Sequence, residues 1–158
     1  MNNVWLMKTF KDWSVRFLES TPPFIAIDEE GIDTDYGSMS QKQRQHLLDQ
    51  LKEVNPSRHY GHIKRFFDDF YDEAGDNDLL VLGTGKTTKF FVTAIVRLKN
   101  NPFFYNSTNS KDSRHRFTVE ILWKGTPFEV PEWGWANRLE KMDTTDRLKQ
   151  FIKMYTQL

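Results

Sequence analysis

Cysteine is absent from this sequence of 158 residues. Without a thiol, the chain has no disulfide framework, no thiolate metal site and no cysteine nucleophile. Because disulfides persist mainly outside the cytosol, their absence favours an intracellular protein, and we expect a cytoplasmic location. A chain of this length buries about two-thirds of the surface that its unfolded form exposes, which is enough for one domain to fold without a metal.

Long hydrophobic runs are also absent. The longest, FIAI at residues 24–27 and LLVLG at residues 79–83, fall far short of the roughly 18 residues that a membrane span needs. Lys8, Lys11 and Asp12 interrupt the N-terminus before the apolar core of a signal peptide could form. We therefore expect a water-soluble protein without a targeting segment.

Net charge is zero, but the charges are unevenly distributed. Residues 28–81 carry 13 acidic against 6 basic side chains, a net of −7, whereas residues 85–125 carry 8 basic against 2 acidic ones, a net of +6. Such asymmetry within one domain is typical of a basic binding face opposite an acidic, solvated back. Ordinary scatter of charge over helical surfaces is the alternative interpretation.

Apolar periodicity changes from helical spacing to strand-like alternation near residue 79. Residues 100–113, 125–127 and 128–135 are expected to be irregular. The remaining pattern predicts helices at 10–19, 40–54, 57–71 and from residue 145, and strands at 4–9, 24–27, 79–82, 89–98 and 116–123. This segregation of strands and helices predicts an α+β fold, a small curved β-barrel flanked by helices.

Serine residues mark where two of the predicted helices begin, and apolar residues mark the packed face of the last one. Ser40 with Gln43 three positions later matches a capping box, and Ser57 is expected to cap the next helix. In the last helix, Leu148, Ile152 and Tyr155 are expected to form the apolar stripe.

The segment GTGKT at residues 83–87 has two incompatible interpretations. It resembles the end of a phosphate-binding loop, but such a loop needs a glycine where this chain has Leu80, and a helix after the lysine. The residues that follow, TTKFFVTAIVRL, are instead β-branched and aromatic. A hairpin turn, in which Gly83 and Gly85 tolerate positive φ, is therefore the favoured interpretation.

The four histidines, with no cysteine in the chain, offer few potential metal ligands. His59 and His62 share one face of a predicted helix, and His46 and His115 complete the inventory. Without cysteines to join them, partly solvated helix positions are favoured over a metal site, and we predict neither a metal nor a cofactor.

Aromatic and basic residues lie close together in the sequence after residue 100. FFY at residues 103–105 precedes Lys111, Arg114 and Arg116, and three tryptophans follow. Cations contact phosphates and aromatic faces stack on unpaired bases, so this pattern is typical of nucleic-acid binding. The alternative is that these aromatic rings fill the ends of the barrel.

Five stretches occur in an order that resembles a known superfamily: VWLMKTF at 4–10, FIAIDEEG at 24–31, a helix ending IKRFFDDF at 63–70, GDNDLLVLGTGKTTKFFVTAIVRLK at 75–99 and RHRFTVEILWKGTPFEV at 114–130. Together they resemble the PUA-like EVE and YTH superfamily, and within it the N-terminal modules of McrB-like modification-dependent restriction systems. The resemblance implies a non-catalytic domain whose pocket accepts a base flipped out of a duplex, often a methylated one.

The resemblance also implies which residues form the site. In this family the pocket aromatics come from the end of the second strand and from the loop before the RHRF strand. Asp28 stands where a tryptophan is common. Tyr36 is therefore expected to supply a ring from residues 28–38, which we call the acidic loop. The implied base-binding residues are Phe24, Asp28, Tyr36, Phe104 and Tyr105. The implied contacts to the nucleic-acid backbone are Lys86, Lys89, Lys111, Arg114 and Arg116.

On this resemblance, residues 1–158 are one PUA-like domain, the N-terminal module of a longer protein. The implied partner is duplex DNA carrying a modified base, with a nuclease or NTPase on another domain or subunit. An RNA-binding reader of the same fold and a protein-interaction accessory module are the alternatives.

Overall fold

The computed structural model describes residues 2–9, 15–85, 89–107, 113–130, 133 and 138–158, with the backbone alone for residues 100–104. Within these residues the chain forms six strands and three helices. They are β1 (Val4–Lys8), β2 (Phe24–Ile27), α1 (Gln41–Val54), α2 (Tyr60–Asp68), β3 (Leu79–Thr84), β4 (Phe91–Tyr105), β5 (His115–Glu129), β6 (Leu139–Lys141) and α3 (Thr145–Tyr155).

The strands form one mixed sheet in the order β2-β5-β4-β3-β1-β6. β1 runs parallel to β3, and the other neighbouring strands are antiparallel. The sheet curls into a half-barrel, so β1 and β2 line one cavity although three strands separate them in the sheet. The predicted α+β fold, a curved sheet flanked by helices, is confirmed.

Two hydrophobic clusters lie on opposite faces of the sheet, and β1 contributes to both. Trp5 and Met7 pack into the cluster that α1 and α2 cover, whereas Val4 and Leu6 pack into the cluster that contains Phe151 of α3. β3 is divided in the same way, so both strands are buried on two faces. This double burial explains why their sequences are continuous apolar runs rather than alternating ones.

The GTGKT segment joins β3 to β4, and these strands pair as an antiparallel hairpin. Gly85 has φ 143°, which favours glycine, whereas Gly83 does not show the positive φ expected of it. A Cβ at Gly83 would lie 2.2 Å from the Phe90 ring, so close packing is the reason for glycine there. The hairpin interpretation is therefore confirmed.

β4 and β5 are longer than predicted. Residues 99–105 extend β4, and residues 125–127 lie within β5 instead of forming a turn. The pairing of the two strands shifts register three times, including between Leu98 and Phe103. Bulges of this kind accommodate residues such as Pro102 and Gly125 that interrupt a regular strand pattern.

Helix boundaries follow the predictions in part. The Ser40–Gln43 capping box forms, with Ser40 N donating to Gln43 Oε1 at 2.7 Å and Gln43 N donating to Ser40 Oγ at 3.3 Å. The next helix begins at Tyr60 with His59 at the N-cap, so the cap predicted at Ser57 is wrong. The Ser57 hydroxyl bonds the Asn55 side chain instead.

Two further predictions need correction. Residues 15–19, the described part of the helix predicted at 10–19, form turns ahead of the TPP segment, where proline removes a helix donor. In α3, Leu148 and Tyr155 pack against the core as predicted, but Ile152 is 58% exposed and Phe151 is buried in its place. Strand β6 was not predicted, because three residues carry too little pattern.

No helix in the described part of the chain has the length and apolar character that a membrane span requires.

Candidate nucleic-acid interface

A cavity of about 300 Å³ lies where the ends of β1 and β2 approach each other, and we call it the seam cavity. Its volume is at the lower end of the range for small-molecule sites. The residues that line it are Met7, Lys8, Thr9, Ala26, Ile27, Asp28, Gly85 and Arg138. Met7, Ala26 and Ile27 are almost fully buried, so they provide rigid apolar walls.

The polar groups of the seam cavity differ in their environments. Thr9 Oγ1 is buried and has no hydrogen-bond partner in the described part of the chain. Burial lowers the pKa of Lys8, while the Glu140 carboxylate opposes that effect. Asp28 follows the last residue of β2. The lining thus combines apolar residues with four polar ones: Asp28, Thr9, Lys8 and Arg138.

Arg138 is held in place by three contacts. Its guanidinium donates to Glu29 Oε2 at 2.7 Å and to the Asp28 carbonyl at 3.4 Å, and it lies 4.4 Å from the centre of the Phe66 ring. Lys8 N donates to the Arg138 carbonyl at 2.8 Å, which ties this segment to β1. Arg138 is thus positioned before any ligand binds.

A second cavity of about 300 Å³ lies along α2 on the other side of Arg138, and we call it the α2 cleft. Its lining residues are His59, His62, Ile63, Arg65, Phe66, Asp69, Arg138 and Leu139. The His59 and His62 rings are 6.0 Å apart and perpendicular. No group of three metal-ligating side chains occurs among the residues that the structure describes.

Of the predicted base-binding residues, Asp28 lines the seam cavity, whereas Tyr36 and Phe24 do not. Tyr36 is fully buried, and its hydroxyl donates to Asp68 Oδ1 at 2.8 Å. Burial, reinforced by the hydrogen bond to Asp68, raises the pKa of the Tyr36 phenol far above its usual range. The expected swing of this ring into a pocket would require these contacts to break.

Phe24 is enclosed on both sides. Its ring stacks on Phe17 at 4.8 Å, and the Arg116 guanidinium lies 4.1 Å from its centre. Arg116 also donates to the Ser113 carbonyl at 2.7 Å. Both side chains therefore pack within the fold at the opposite end of β2 from Asp28.

Tyr105 and Arg114 anchor the acidic loop instead of facing the seam cavity. The Tyr105 hydroxyl donates to the Asp33 carbonyl, and Arg114 pairs with the Asp33 carboxylate at 3.2 Å. The Tyr105 ring is 5.1 Å from that of His115. These contacts connect the ends of β4 and β5 to the loop that follows β2.

Four predicted site residues remain: Lys89, Phe104, Lys86 and Lys111. Lys89 is exposed beside the β3–β4 turn. The Phe104 backbone pairs with Arg116 in the sheet, and its side chain lies outside the described residues. Lys86 and Lys111 also lie outside the described residues.

Sequence reasoning missed Thr9 and Arg138, which belong to no motif. Thr9 follows β1 directly, and Arg138 directly precedes β6, which was not predicted. Only the closure of the sheet brings them to Asp28.

Comparisons with known proteins give a fold but no family. No protein-family model and no curated protein matches the sequence. Among solved structures, the chain is similar to one described as a complex of the YTH domain-containing protein mmi1 and RNA, with a TM-score of 0.51, 7% identity, and coverage of 98% of this chain and 81% of that one. It is also similar to the MmI1 YTH domain, with a TM-score of 0.50, 12% identity, and coverage of 99% and 98%. The chain therefore has a YTH-like α+β fold.

Proposed function

We propose that this domain binds nucleic acid without catalysing a reaction and holds one unpaired base in the seam cavity. The observation that carries the proposal is the pairing of apolar walls with polar groups on one side of a cavity of this size. A base has the matching chemistry, with two apolar faces and a polar edge. Extruding it costs a few kcal/mol, which contacts in such a cavity can offset.

Thr9 is the group that most needs a ligand. A buried hydroxyl without a partner costs about 1–3 kcal/mol, and a hydrogen bond to a bound base would recover part of that cost. Because Thr9 Oγ1 is buried against protein, its side chain must turn toward the cavity to reach a bound base. There the hydroxyl, which both donates and accepts, can bond either a ring nitrogen or an amino group.

Asp28 gives the proposed site its selectivity. An ionised carboxylate only accepts hydrogen bonds, so it favours a base that presents an N–H, such as the amino groups of adenine and cytosine. A singly methylated amino group keeps one N–H, and its methyl group would contact the apolar walls. We therefore propose a methylated amino-bearing base as the preferred occupant.

RNA is the favoured nucleic acid, because one of the similar structures is described as a complex with RNA. Duplex DNA, with a nuclease or NTPase on another domain or subunit of a restriction system, is the second candidate, and its support is the sequence resemblance. In either case Lys89 is the described cation that we propose at the phosphates, together with Lys86 and Lys111.

The first test is to replace the Asp28 carboxylate. Asp28→Ala should weaken binding to the preferred oligonucleotide by about tenfold, as expected for loss of base-edge hydrogen bonds worth roughly 1–3 kcal/mol. Asp28→Asn keeps one acceptor oxygen and should lose less. Fluorescence anisotropy would be measured with single-stranded RNAs and duplex DNAs that differ at one base: adenine, N6-methyladenine, cytosine, 5-methylcytosine or 5-hydroxymethylcytosine.

Asp49→Ala is the matched control, because Asp49 is exposed on α1 and contacts Gln45. If Asp28→Ala and Asp49→Ala bind every probe equally well, the seam cavity is not the base site. If the unaltered protein binds none of the probes, the nucleic-acid proposal fails as a whole, and the protein-interaction alternative gains support.

A further inference from the structure

The α2 cleft and the seam cavity have one lining residue in common, Arg138. Its guanidinium lies 4.4 Å from the centre of the Phe66 ring, which lines the α2 cleft. The two cavities are therefore neighbours, and a ligand that runs over Arg138 could contact both.

The α2 cleft is rich in groups that bind nucleotides. His59 and His62 expose imidazole rings, and Arg65 and Arg138 contribute guanidinium groups. Asp69 is the carboxylate of the lining, and it faces Arg65 at 3.9 Å. Arg65 remains 75% exposed, so this contact leaves its guanidinium accessible to a phosphate.

Aromatic faces are presented by the two histidines rather than by Phe66. Arg138 covers the Phe66 ring, whereas His59 and His62 are exposed. Unpaired bases commonly stack on histidine rings and on the planes of arginine side chains. The rings of His59 and His62 are perpendicular, so a single base can stack on one of them and contact the edge of the other.

We propose that the α2 cleft binds the nucleotide next to the base in the seam cavity, with its base stacked on His59 or His62 and its phosphate at Arg65. This inference rests on the proposed function, because it requires a nucleic acid that passes Arg138. It adds a second binding site, and it makes affinity depend on the length of the ligand.

The test compares a nucleoside with a longer ligand. The probes are N6-methyladenosine and a six-nucleotide single-stranded RNA that carries one N6-methyladenine, measured by calorimetry and by anisotropy. His59→Ala with His62→Ala should weaken RNA binding by fivefold or more, since stacking of a base on an aromatic ring is lost. Binding of the nucleoside, which fills only the seam cavity, should not change.

Arg65→Gln tests the phosphate contact separately. Loss of one phosphate contact to a single strand should reduce the slope of log K against log salt concentration by about 0.7. His46→Ala and Lys52→Ala are matched controls, since both side chains are exposed on α1 outside the cleft, and they should leave affinity and slope unchanged.

Each outcome decides between the two proposals. If the cleft variants bind RNA normally while Asp28→Ala weakens it, the α2 cleft inference is wrong and the proposed function stands. If the cleft variants weaken the nucleoside and the RNA equally, the cleft is not a separate site, and the inference is overturned. If the unaltered protein binds neither probe and no other oligonucleotide of the panel, both proposals fail.

Discussion

The buried His115 side chain joins three parts of the molecule. Its Nε2 lies 2.7 Å from the Ile32 carbonyl, which can only accept, so Nε2 carries the proton and Nδ1 accepts from the Tyr71 hydroxyl at 2.6 Å. This single residue therefore holds the acidic loop and the π-helical turn Asp69–Glu73 against the start of β5.

Protonation of His115 should destabilise the fold. Burial lowers the pKa of His115 below the usual value of 6.5 for a histidine, although the Ile32 carbonyl and the nearby Asp35 and Asp33 oppose the effect. The folded state therefore binds this proton less readily than the unfolded state, so the stabilising effect is present above about pH 6.5 and is lost as the pH falls below it.

The measurement is the midpoint of thermal unfolding between pH 7.5 and pH 5. We expect the midpoint to fall with pH in the unaltered protein and to fall less in His115→Gln, which has no titrating ring. His46→Ala, which removes an exposed histidine, should keep the full pH dependence. An equal slope in His115→Gln and the unaltered protein would contradict this prediction.

Arg44 holds Tyr36 in the core, so the predicted base-binding role of Tyr36 requires these contacts to break. The Arg44 guanidinium is buried, pairs with Asp68 at 2.9 Å and Asp72 at 2.6 Å, and lies 4.5 Å from the centre of the Tyr36 ring. Its Nε also donates to the Tyr36 carbonyl at 3.1 Å. The Tyr36 ring is therefore enclosed by the Arg44 guanidinium and by the Phe67 and Tyr71 rings.

At the scale of single elements, the α1 N-terminus was predictable because its determinants are local. Ser40→Ala removes a side-chain acceptor from the first turn and should lower the free energy of unfolding by about 1 kcal/mol. Urea denaturation would measure this change.

Ser57→Ala is the control for the Ser40 prediction. Ser57 resembles a cap in sequence, but α2 begins at Tyr60 and the Ser57 hydroxyl contacts Asn55. Its replacement should change the free energy of unfolding by less than about 0.5 kcal/mol. Equal losses for the two serines would mean that the Ser40 cap contributes no more to stability than the Ser57 hydroxyl, which contradicts the prediction.

Strand lengths were harder to predict than helix caps. β4 and β5 continue through Pro102 and Gly125, residues that normally end strands, because bulges absorb the irregularity and the long neighbouring strand supplies the hydrogen bonds. Pairing with a distant segment is a non-local interaction, so it leaves little trace in either strand alone.

At the scale of the whole molecule, the two hydrophobic clusters are joined through β1 and β3. We therefore expect them to unfold together. Phe151→Ala removes a buried ring from the cluster covered by α3 and should lower the free energy of unfolding by about 3–5 kcal/mol.

We predict that, in Phe151→Ala, probes in the two hydrophobic clusters report the same loss of stability. Trp5 lies in the cluster that α1 and α2 cover, and Trp133 lies in the other. In variants that keep only one of the five tryptophans, Trp5 or Trp133, fluorescence follows each cluster separately. In Phe151→Ala, both signals and the far-ultraviolet dichroism should shift to one common midpoint. Separate midpoints would show that the two faces are independent units.

The sequence by itself determined the fold class, the central hairpin and the capped helix, because apolar periodicity, turn residues and capping act between neighbours in the chain. The family resemblance also placed Asp28 among the base-binding residues, and that role stays a prediction. Only the tertiary structure decided that Thr9 and Arg138 join Asp28 at the seam cavity and that Tyr36 lies in the core. Those placements depend on how far the sheet curls, and that curl results from bulges, twist and packing between residues far apart in the chain.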